Sequence, residues 1–242
     1  MTGAEPITTN IHGAMLTLDI SGAAWWAAER TLIVADVHFE KGSALAAQGH
    51  RLPAYDTAAN LGLLEKLIAQ YQPKRLVALG DSFHDRAAGK RIPVAEQQRL
   101  NALADKTALI WILGNHDPAL PAWLRGEQTA ELALGPLVFR HEPQDAPVAG
   151  ELAGHLHPCA RIRGRGLNRP GRSFRRRAFL EDGTRMVLPS FGAFTGGLNA
   201  LDDAYAPVFP GPFNAWLIGR DIIARAPSTG LIEDRKRLAD FA

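Results

Sequence analysis

Aspartate, histidine and asparagine residues gather in five short blocks of this sequence, each immediately after an apolar run. The blocks are Asp36-Val37-His38, Gly80-Asp81, Gly114-Asn115-His116-Asp117, the single His141, and Gly154-His155-Leu156-His157. Their carboxylate, amide and imidazole groups suit Mn²⁺, Fe²⁺ or Zn²⁺, and no thiolate is among them. Seven donors are too many for one ion and suit two ions that share a carboxylate. These donors are Asp36, His38, Asp81, Asn115, His141, His155 and His157.

A binuclear site of this kind would suit the cleavage of a phosphoester. The ester is anionic and resists attack by neutral water, whereas two cations about 4 Å apart bind its oxygens and lower the pKa of a bridging water. The leaving alkoxide then needs a proton, and a histidine that adjoins a ligand without being one suits that task. His116, next to Asn115, is that candidate.

Spacing within the blocks predicts how the donors converge. Asp36 and His38 are two residues apart, as are His155 and His157. On an extended chain, side chains at i and i+2 point to the same side. A glycine also precedes a donor in three of the blocks, where it permits a sharp turn and a close backbone approach.

The elements that must position these blocks are short buried strands. Apolar runs at 32–35, 76–79, 108–113, 137–139 and 148–153 each lead into one block. Runs of this length bounded by turn residues predict central strands of a sheet. In open α/β sheets, ligands bind beyond the carboxyl ends of such strands.

Helices are predicted between the strands of the first half of the chain. One lies between Pro53 and Pro73, a second opens at Pro93, and a short third spans 118–125. The second half and the stretch from 15 to 35 favour strands. We therefore expect an α/β protein with two packed sheets and helices outside, as one domain over 1–242. The polar stretch 225–242 would be a loose tail or a closing helix.

Composition excludes several classes of protein. The 242 residues are 46% hydrophobic and 21% charged, which is typical of a globular domain. The single Cys159 excludes an intramolecular disulfide and permits a reducing compartment. No apolar run approaches the roughly 20 residues of a membrane span, and Met1–Asn10 lacks the pattern of a secretory signal. We expect a cytoplasmic protein that does not bind membranes.

The net charge of +2 conceals an uneven distribution. Eight arginines and no acidic residue fall within 161–177, here called the arginine segment, and the rest of the chain has 19 basic against 25 acidic residues. Arginine forks suit phosphate oxygens, and a basic strip on an acidic body is typical of polyanion binding. The alternative is a solvated hairpin whose arginines pair with the acidic body.

The order of the five blocks resembles the calcineurin-like metallophosphoesterase superfamily. The resemblance implies a four-layer α/β/β/α sandwich with two mixed sheets flanked by helices. It implies that Asp81 bridges two metals, that one site is completed by Asp36, His38 and His157, and that the other is completed by Asn115, His141 and His155. It also makes His116 the catalytic histidine and proton donor, held by Asp117.

Longer segments resemble the bacterial ligase-associated DNA damage response endonucleases. They are Asp-Val-His-Phe-Glu-Lys-Gly (36–42), Leu-Pro-Ala-Tyr-Asp-Thr (52–57), Ala-Leu-Gly-Asp-Ser-Phe-His-Asp (78–85), Gly-His-Leu-His-Pro (154–158) and Leu-Pro-Ser-Phe-Gly-Ala-Phe-Thr-Gly-Gly (188–197). This resemblance implies a manganese-dependent phosphodiesterase that cleaves single-stranded or flexible DNA in repair, alongside a DNA ligase, a helicase and an exonuclease.

Two alternatives to a DNA endonuclease stay open. One is a phosphatase or phosphodiesterase that acts on a small-molecule or phosphoprotein ester with the same metals. The other is a metal-free binding module that keeps the fold, because fold alone does not imply function.

Several residues are candidates for contact with the substrate. They are His84 and, from the arginine segment, Arg161, Arg163, Arg175, Arg176 and Arg177. His84 either contacts substrate or supports the ligands, or with Asp85 it caps the next segment. The resemblance also places Phe191, Phe194, Gly196 and Gly197 in a loop that borders the site. The alternative for that loop is a glycine turn with core phenylalanines.

Overall fold

The computed structural model of the protein describes residues 6–49, 55–146, 148–164, 172–192 and 196–234. Its α-helices are α1 (Lys41–Ala47), α2 (Asp56–Tyr71), α3 (Ala88–Arg91) and α4 (Val94–Ala102). The strands of the first sheet are β1 (Thr8–Ile11), β2 (Ala14–Leu18), β3 (Ala24–Trp26), β4 (Thr31–Ala35), β5 (Arg75–Leu79), β6 (Ala108–Ile112) and β7 (Glu127–Thr129). Those of the second are β8 (Glu131–Leu134), β9 (Leu137–Arg140), β10 (Glu151–Ala153), β11 (Cys159–Arg163), β12 (Ser173–Glu181), β13 (Met186–Val187), β14 (Asn214–Ile218) and β15 (Ile223–Pro227).

The seven strands of the first sheet follow one another in chain order. Strands β1 to β4 pair antiparallel, and β4 to β7 pair parallel. Every residue of β4 is buried, as expected for a central strand covered on both faces. In the parallel register Ala35, Leu79 and Ile112 are neighbours, so the loops that follow β4, β5 and β6 emerge side by side.

The second sheet is mixed, in the order β15-β14-β12-β13-β10-β9-β8. Strand β10 runs parallel to both β9 and β13, whereas the other neighbours pair antiparallel. The first half of β12 leaves the sheet and forms a hairpin with β11. A bridge between Ala35 and Ser190 joins the two sheets at the edge where the metal-binding blocks lie.

The two sheets pack face to face over a core that includes Ile33, Val77, Phe139 and Phe179. Helices α2 and α4 cover the outer face of the first sheet with apolar side chains such as Leu64.

The outer face of the second sheet is covered by Tyr205, Phe209 and Phe213, from an irregular segment that contains a 3₁₀ turn at Asp203–Tyr205. The expected α/β sandwich of two mixed sheets with flanking helices is confirmed. Helices cover the first sheet, and on the second sheet this irregular segment forms the outer layer.

Two of the three predicted helices are confirmed. Helix α2 ends before Pro73, although Pro53 lies outside the described residues, and α4 follows Pro93. The prediction of a third helix over 118–125 is wrong, because the segment forms only turns. Pro121 within it has no backbone N–H to donate to a helix.

The prediction for the stretch 225–242 also needs correction. Residues Ile223–Pro227 form β15, and Ser228–Gly230 form a 3₁₀ turn. Leu231 is buried, and the Ile232 N–H donates to the Arg161 carbonyl. Residues 225–234 are therefore neither a loose tail nor a closing helix, and 235–242 lie outside the described residues. Across the described ranges, no helix combines the length and the apolar character needed to cross a membrane.

Candidate metal centre and active site

One cluster of predicted ligands lies at the carboxyl end of β4. The Asp36 Oδ1 atom is 3.4 Å from His157 Nε2, and His157 Nε2 is 3.2 Å from His38 Nε2. Asp36 is completely buried, and both of its carboxylate oxygens accept the His155 backbone N–H. These three side chains place their donor atoms within 4.8 Å of one another.

A second cluster lies directly beside the first. His141 Nε2 is 2.8 Å from Asn115 Oδ1 and 3.4 Å from Asp81 Oδ1. His155 Nδ1 is 3.0 Å from the same Asn115 oxygen and 3.2 Å from His141 Nε2. The two clusters are in contact, because His141 Nδ1 is 3.6 Å from Asp36 Oδ1. The structure thus brings all seven predicted ligands together, in two groups.

The chemistry of these donors fits two divalent cations. Asp36 and Asp81 are buried, and within the described ranges no lysine or arginine lies within ion-pair distance of either carboxylate. Buried charges of this kind need a compensating cation. Burial, followed by the nearby His157, lowers the pKa of His38 from 6.5 to about 2. Its imidazole is therefore neutral, as a metal ligand must be.

The backbone at these blocks is left-handed rather than extended. Positive φ angles of 44° to 67° occur at five of the predicted ligands: Asp36, His38, Asp81, His155 and His157. Our reason for the convergence of each i and i+2 pair was therefore wrong, since alternation on an extended chain does not apply. His155 and His157 lie in two adjacent clusters, which is one of the two arrangements that their spacing allowed. Non-glycine residues with this backbone are uncommon and concentrate at functional sites.

Glycines leave the space into which the ligands fit. A Cβ atom on Gly114 would lie 2.2 Å from Asp81 Oδ1, and one on Gly154 would lie 2.6 Å from Asp36 Oδ2. The close approach predicted for these glycines is confirmed, since any side chain there would displace a carboxylate.

His116 lies at the mouth of the site, as its predicted role requires. Its side chain is 43% exposed, with Nε2 3.8 Å from Asp81 Oδ2. Its Nδ1 lies 2.8 Å from the His84 carbonyl oxygen, so that the Nδ1–H tautomer donates there and leaves Nε2 facing the cluster. The His84 ring stacks 5.7 Å from the His116 ring.

The expectation that Asp117 holds His116 is wrong. The Asp117 carboxylate is buried and accepts the backbone N–H groups of Phe83 and Gly114, each at 3.0 Å. It ties together the loops after β5 and β6, and it positions His116 only through the backbone. Burial raises the pKa of Asp117 to about 6.

His84 and Asp85 have separate tasks. The Asp85 carboxylate binds Arg91 at 2.7 and 3.0 Å and accepts the Ala87 N–H, so it caps the next segment. The His84 ring instead lies 5.5 Å from that of His38, within the site. Burial and the charge of Lys41 lower the pKa of His84.

Sequence reasoning assigned no role to the residues that brace the loop after β4. At the start of α2, Asp56 accepts the Gly42 N–H, Thr57 donates to the Glu40 carboxylate, and Asn60 donates to the Val37 carbonyl. Asp56 and Thr57 end the segment 52–57, which supported the narrower resemblance. Their pairing with a loop about 15 residues earlier could not be read from spacing.

The arginine segment does not form one basic surface. In the hairpin of β11 and β12, Arg161 pairs with Arg175, whereas Ala160 pairs with Arg176. Because cross-strand partners share a face and neighbours alternate, Arg176 points away from Arg161 and Arg175. Two of the eight arginines, Arg165 and Arg169, lie outside the described residues.

Three of the arginines predicted to bind substrate are engaged within the protein. Asp234 lies 3.5 Å from Arg161 and 2.8 Å from Arg175, whose charges would otherwise repel one another. Arg177 donates to the carbonyls of Ser190 and Ser21. For these three side chains the expectation of a substrate contact is corrected to a structural role.

Arg163 and Arg176 differ from the other predicted arginines. Both are exposed, and neither forms a salt bridge to any carboxylate within the ranges that the structure describes. The Arg176 guanidinium lies 5.9 Å from the ring of Phe174, which is 42% exposed. These side chains are the ones available to a polyanion.

The loop 188–197 borders the site in part. Phe191 is completely buried, and its N–H donates to the Ala35 carbonyl beside Asp36. A Cβ atom on Gly197 would collide with the His157 carbonyl oxygen, whereas Gly196 faces open space. Phe194 lies outside the described residues.

The sequence matches a known protein family. Residues 29–203 match the calcineurin-like phosphoesterase family. The match includes all five blocks and well over half of the chain, so the chain belongs to this family. It is a metal-dependent phosphoesterase, and its fold implies a binuclear site for divalent cations.

Among solved structures, the protein is similar to the nuclease MPE of Pseudomonas putida. The two share 30% sequence identity with a TM-score of 0.70, over 91% of this chain and 100% of that one. The phosphoesterase Yfce of E. coli matches more weakly. It shares 18% identity with a TM-score of 0.39, over 81% of this chain and 97% of that one. A comparison with curated protein sequences gave no match.

Proposed function

We propose that this protein is a two-metal phosphodiesterase that cleaves DNA in single-stranded or flexible segments. The observation that carries the proposal is the position of His116, whose exposed ring stands 3.8 Å from a buried carboxylate of the ligand clusters. A proton donor at the open mouth of such a site can reach a phosphate within a long chain. The similarity to a nuclease supports a nucleic acid as the substrate, and the resemblance of the longer segments favours DNA.

The two clusters support the roles of the ligands. Asp36, His38 and His157 would hold one cation, and Asn115, His141 and His155 would hold the other. Asp81 lies in the second cluster, and the resemblance would make it shared by both ions. When bound, the ions supply Lewis acidity toward the phosphate oxygens and lower the pKa of a water. His141 donates its Nδ1–H to the Leu79 carbonyl at 3.1 Å, which fixes the tautomer and directs the Nε2 lone pair inward.

His116 would supply the proton that the leaving oxygen needs. The hydrogen bond from Nδ1 to the His84 carbonyl orients the ring, so a proton on Nε2 points toward the reacting phosphate. His84 would contact a phosphate oxygen, since its ring lies against those of both His38 and His116, at 5.5 and 5.7 Å. Burial lowers its pKa, so the ring acts as a neutral hydrogen-bond donor.

Further parts of the proposal rest on the resemblance and the donor chemistry. The all-oxygen and nitrogen donor set favours manganese, with Fe²⁺ or Zn²⁺ as alternatives. The family resemblance supports a role in DNA repair and association with a DNA ligase, a helicase and an exonuclease. The composition supports a cytoplasmic location. The exposed Arg176, which lies beside Phe174 on the face of the hairpin opposite Arg163, would meet the DNA phosphates.

A substrate panel with purified, manganese-loaded protein tests the proposal. We expect cleavage of a short single-stranded DNA and of bis-p-nitrophenyl phosphate, with little hydrolysis of p-nitrophenyl phosphate. Strong monoester hydrolysis without DNA cleavage would support the phosphatase alternative. Failure to hydrolyse any ester after loading with manganese would support the metal-free binding module.

A further inference from the structure

A cavity of about 290 Å³ opens next to the active site and has no part in the proposed chemistry so far. Its floor is apolar and includes Leu120, Pro121 and Trp123. Phe83 lies against the indole ring of Trp123, edge to face, with 6.1 Å between the ring centroids. The Trp123 Nε1–H donates to the Gly89 carbonyl at 3.1 Å, so the ring is held in place.

The cavity is lined by residues of the two loops that carry His84 and His116. Phe83 and Asp117 both line it, and the Asp117 carboxylate accepts the Phe83 N–H at 3.0 Å. Phe83 directly precedes His84, and Asp117 directly follows His116, so each wall residue is about 3.8 Å in Cα distance from a histidine at the mouth. A group in the cavity would therefore lie beside the loops that carry His84 and His116.

The rim of the cavity is basic. Arg86 and Lys90 line it and are exposed, and in the ranges that the structure covers neither forms a salt bridge with a carboxylate. The two acidic residues of the wall are both engaged elsewhere. Asp85 binds Arg91, and Asp117 accepts backbone N–H groups. The combination of an aromatic, apolar floor and a cationic rim fits a nucleotide.

We infer that this cavity is a subsite for one nucleobase of the substrate strand, adjacent to the phosphate that is cleaved; the inference rests on the proposed function. The base would lie against Trp123 and Leu120, and Arg86 and Lys90 would bind the flanking phosphates. Because every base has a π-face, such a subsite accepts all four bases and imposes no sequence. It would let the enzyme grip an unpaired strand, whose bases are free to turn outward.

A base-deletion experiment tests the subsite in the manganese-loaded protein. One abasic residue is placed in a ten-nucleotide single strand, and the rate of cleavage is measured at every bond on a sequencing gel. In the wild type we expect cleavage at a bond flanking the abasic residue to fall about tenfold, while distant bonds are unaffected. Ala122→Phe fills the cavity from an exposed lining position. In that variant the abasic residue should not lower the rate of cleavage at the flanking bond any further.

A second variant keeps the test independent of the cavity filling. Arg86→Gln should raise KM for the strand more than it lowers kcat, because its charge binds flanking phosphates rather than the reacting atoms. Lys106→Gln is the matched control, since Lys106 is also exposed but precedes β6 at the opposite edge of the sheet. Metal content and melting temperature report whether each variant is folded.

The outcomes separate this inference from the proposed function. If the wild type cleaves the intact and abasic strands equally at every bond, or if Ala122→Phe retains the full abasic penalty, the nucleobase subsite is overturned while DNA cleavage stands. If the wild type hydrolyses bis-p-nitrophenyl phosphate and cuts no DNA, the proposed substrate is wrong and the subsite falls with it. An unaltered KM in Arg86→Gln would remove the basic rim from the subsite.

Discussion

Gly80 leaves the space that the His141 ring occupies, so Gly80→Ala tests the metal centre directly. A Cβ atom at Gly80 would lie 2.3 Å from both Cγ and Nδ1 of His141, where 3.4 Å or more is an ordinary contact. The ring must therefore move by about 1 Å. The backbone φ of +70° adds strain for any residue other than glycine, about 1–2 kcal/mol.

A shift of this size removes His141 from its cluster. Its Nε2 is 2.8 Å from Asn115 Oδ1, and its Nδ1 is 3.1 Å from the Leu79 carbonyl. Metal–ligand distances hold within about 0.2 Å, so a displacement of about 1 Å breaks that bond. We expect the metal content of Gly80→Ala to fall from two ions per chain to about one, and kcat to fall about 100-fold.

Gly183→Ala is the matched control for Gly80→Ala. Gly183 has a φ of +81°, and nothing lies within 4 Å of its added Cβ, so it shares the backbone strain without the collision. Metal content by atomic emission, hydrolysis of bis-p-nitrophenyl phosphate and thermal melting are measured for both variants. We expect a loss of stability in both variants, larger in Gly80→Ala because of the collision, and a loss of metal in Gly80→Ala alone. Two bound ions and full activity in Gly80→Ala would refute the assignment of His141 as a ligand.

Three further predictions address the proton donor, the DNA contacts and the fold. His116→Ala should retain its metals and lose about 10²- to 10⁴-fold in DNA cleavage, but far less with p-nitrophenolate, a leaving group that needs no proton. Neutralising Arg176 should make the dependence of log affinity for single-stranded DNA on log salt shallower by about 0.7, measured by fluorescence anisotropy. Arg185→Met should lower the free energy of unfolding by about 3 kcal/mol in a denaturant titration, because it removes one of the two arginines that pair with the buried Glu151 carboxylate and leaves only Arg140, at 3.4 Å.

Each of these predictions has an outcome that contradicts it. Equal losses of His116→Ala on both kinds of leaving group would rule out proton donation. Lys74→Gln is the control for the arginine variant, since Lys74 is exposed and precedes β5. If affinity depends on salt equally steeply in both variants, the hairpin does not bind DNA phosphates and is a solvated surface. Unfolding of Arg185→Met at the wild-type denaturant concentration would mean that Glu151 is satisfied by other donors.

The local parts of the fold could be predicted because they depend on near neighbours in the chain. Apolar runs predicted β4, β5 and β6, and the stretch between Pro53 and Pro73 predicted α2. The segment 118–125 was wrongly predicted as a helix because its Pro121 and its contacts with distant loops outweigh local propensity. Trp123, for example, donates to the Gly89 carbonyl. Such contacts have no signal in a local window.

The site divides in the same way between sequence and structure. The sequence by itself determined the identities of the seven donors, their number and their place after the strands, because ligand chemistry is a property of residue type. It also predicted that the glycines beside them allow a close backbone approach. The resemblance implied how the donors divide between two clusters, but residue types and spacing did not show the physical reason, because left-handed turns, not strand alternation, aim the side chains.

Only the tertiary structure decided which charged residues face a substrate. Asp234 and Arg161 are 73 positions apart, yet the C-terminal segment brings them together and removes two arginines from the basic surface. Likewise, Asp117 was expected to hold the His116 ring, whereas in the structure its carboxylate joins two loops. In both cases the deciding physics is the pairing of charge and backbone groups across distant parts of the chain. Residue types alone determine what can pair, and the fold determines what does.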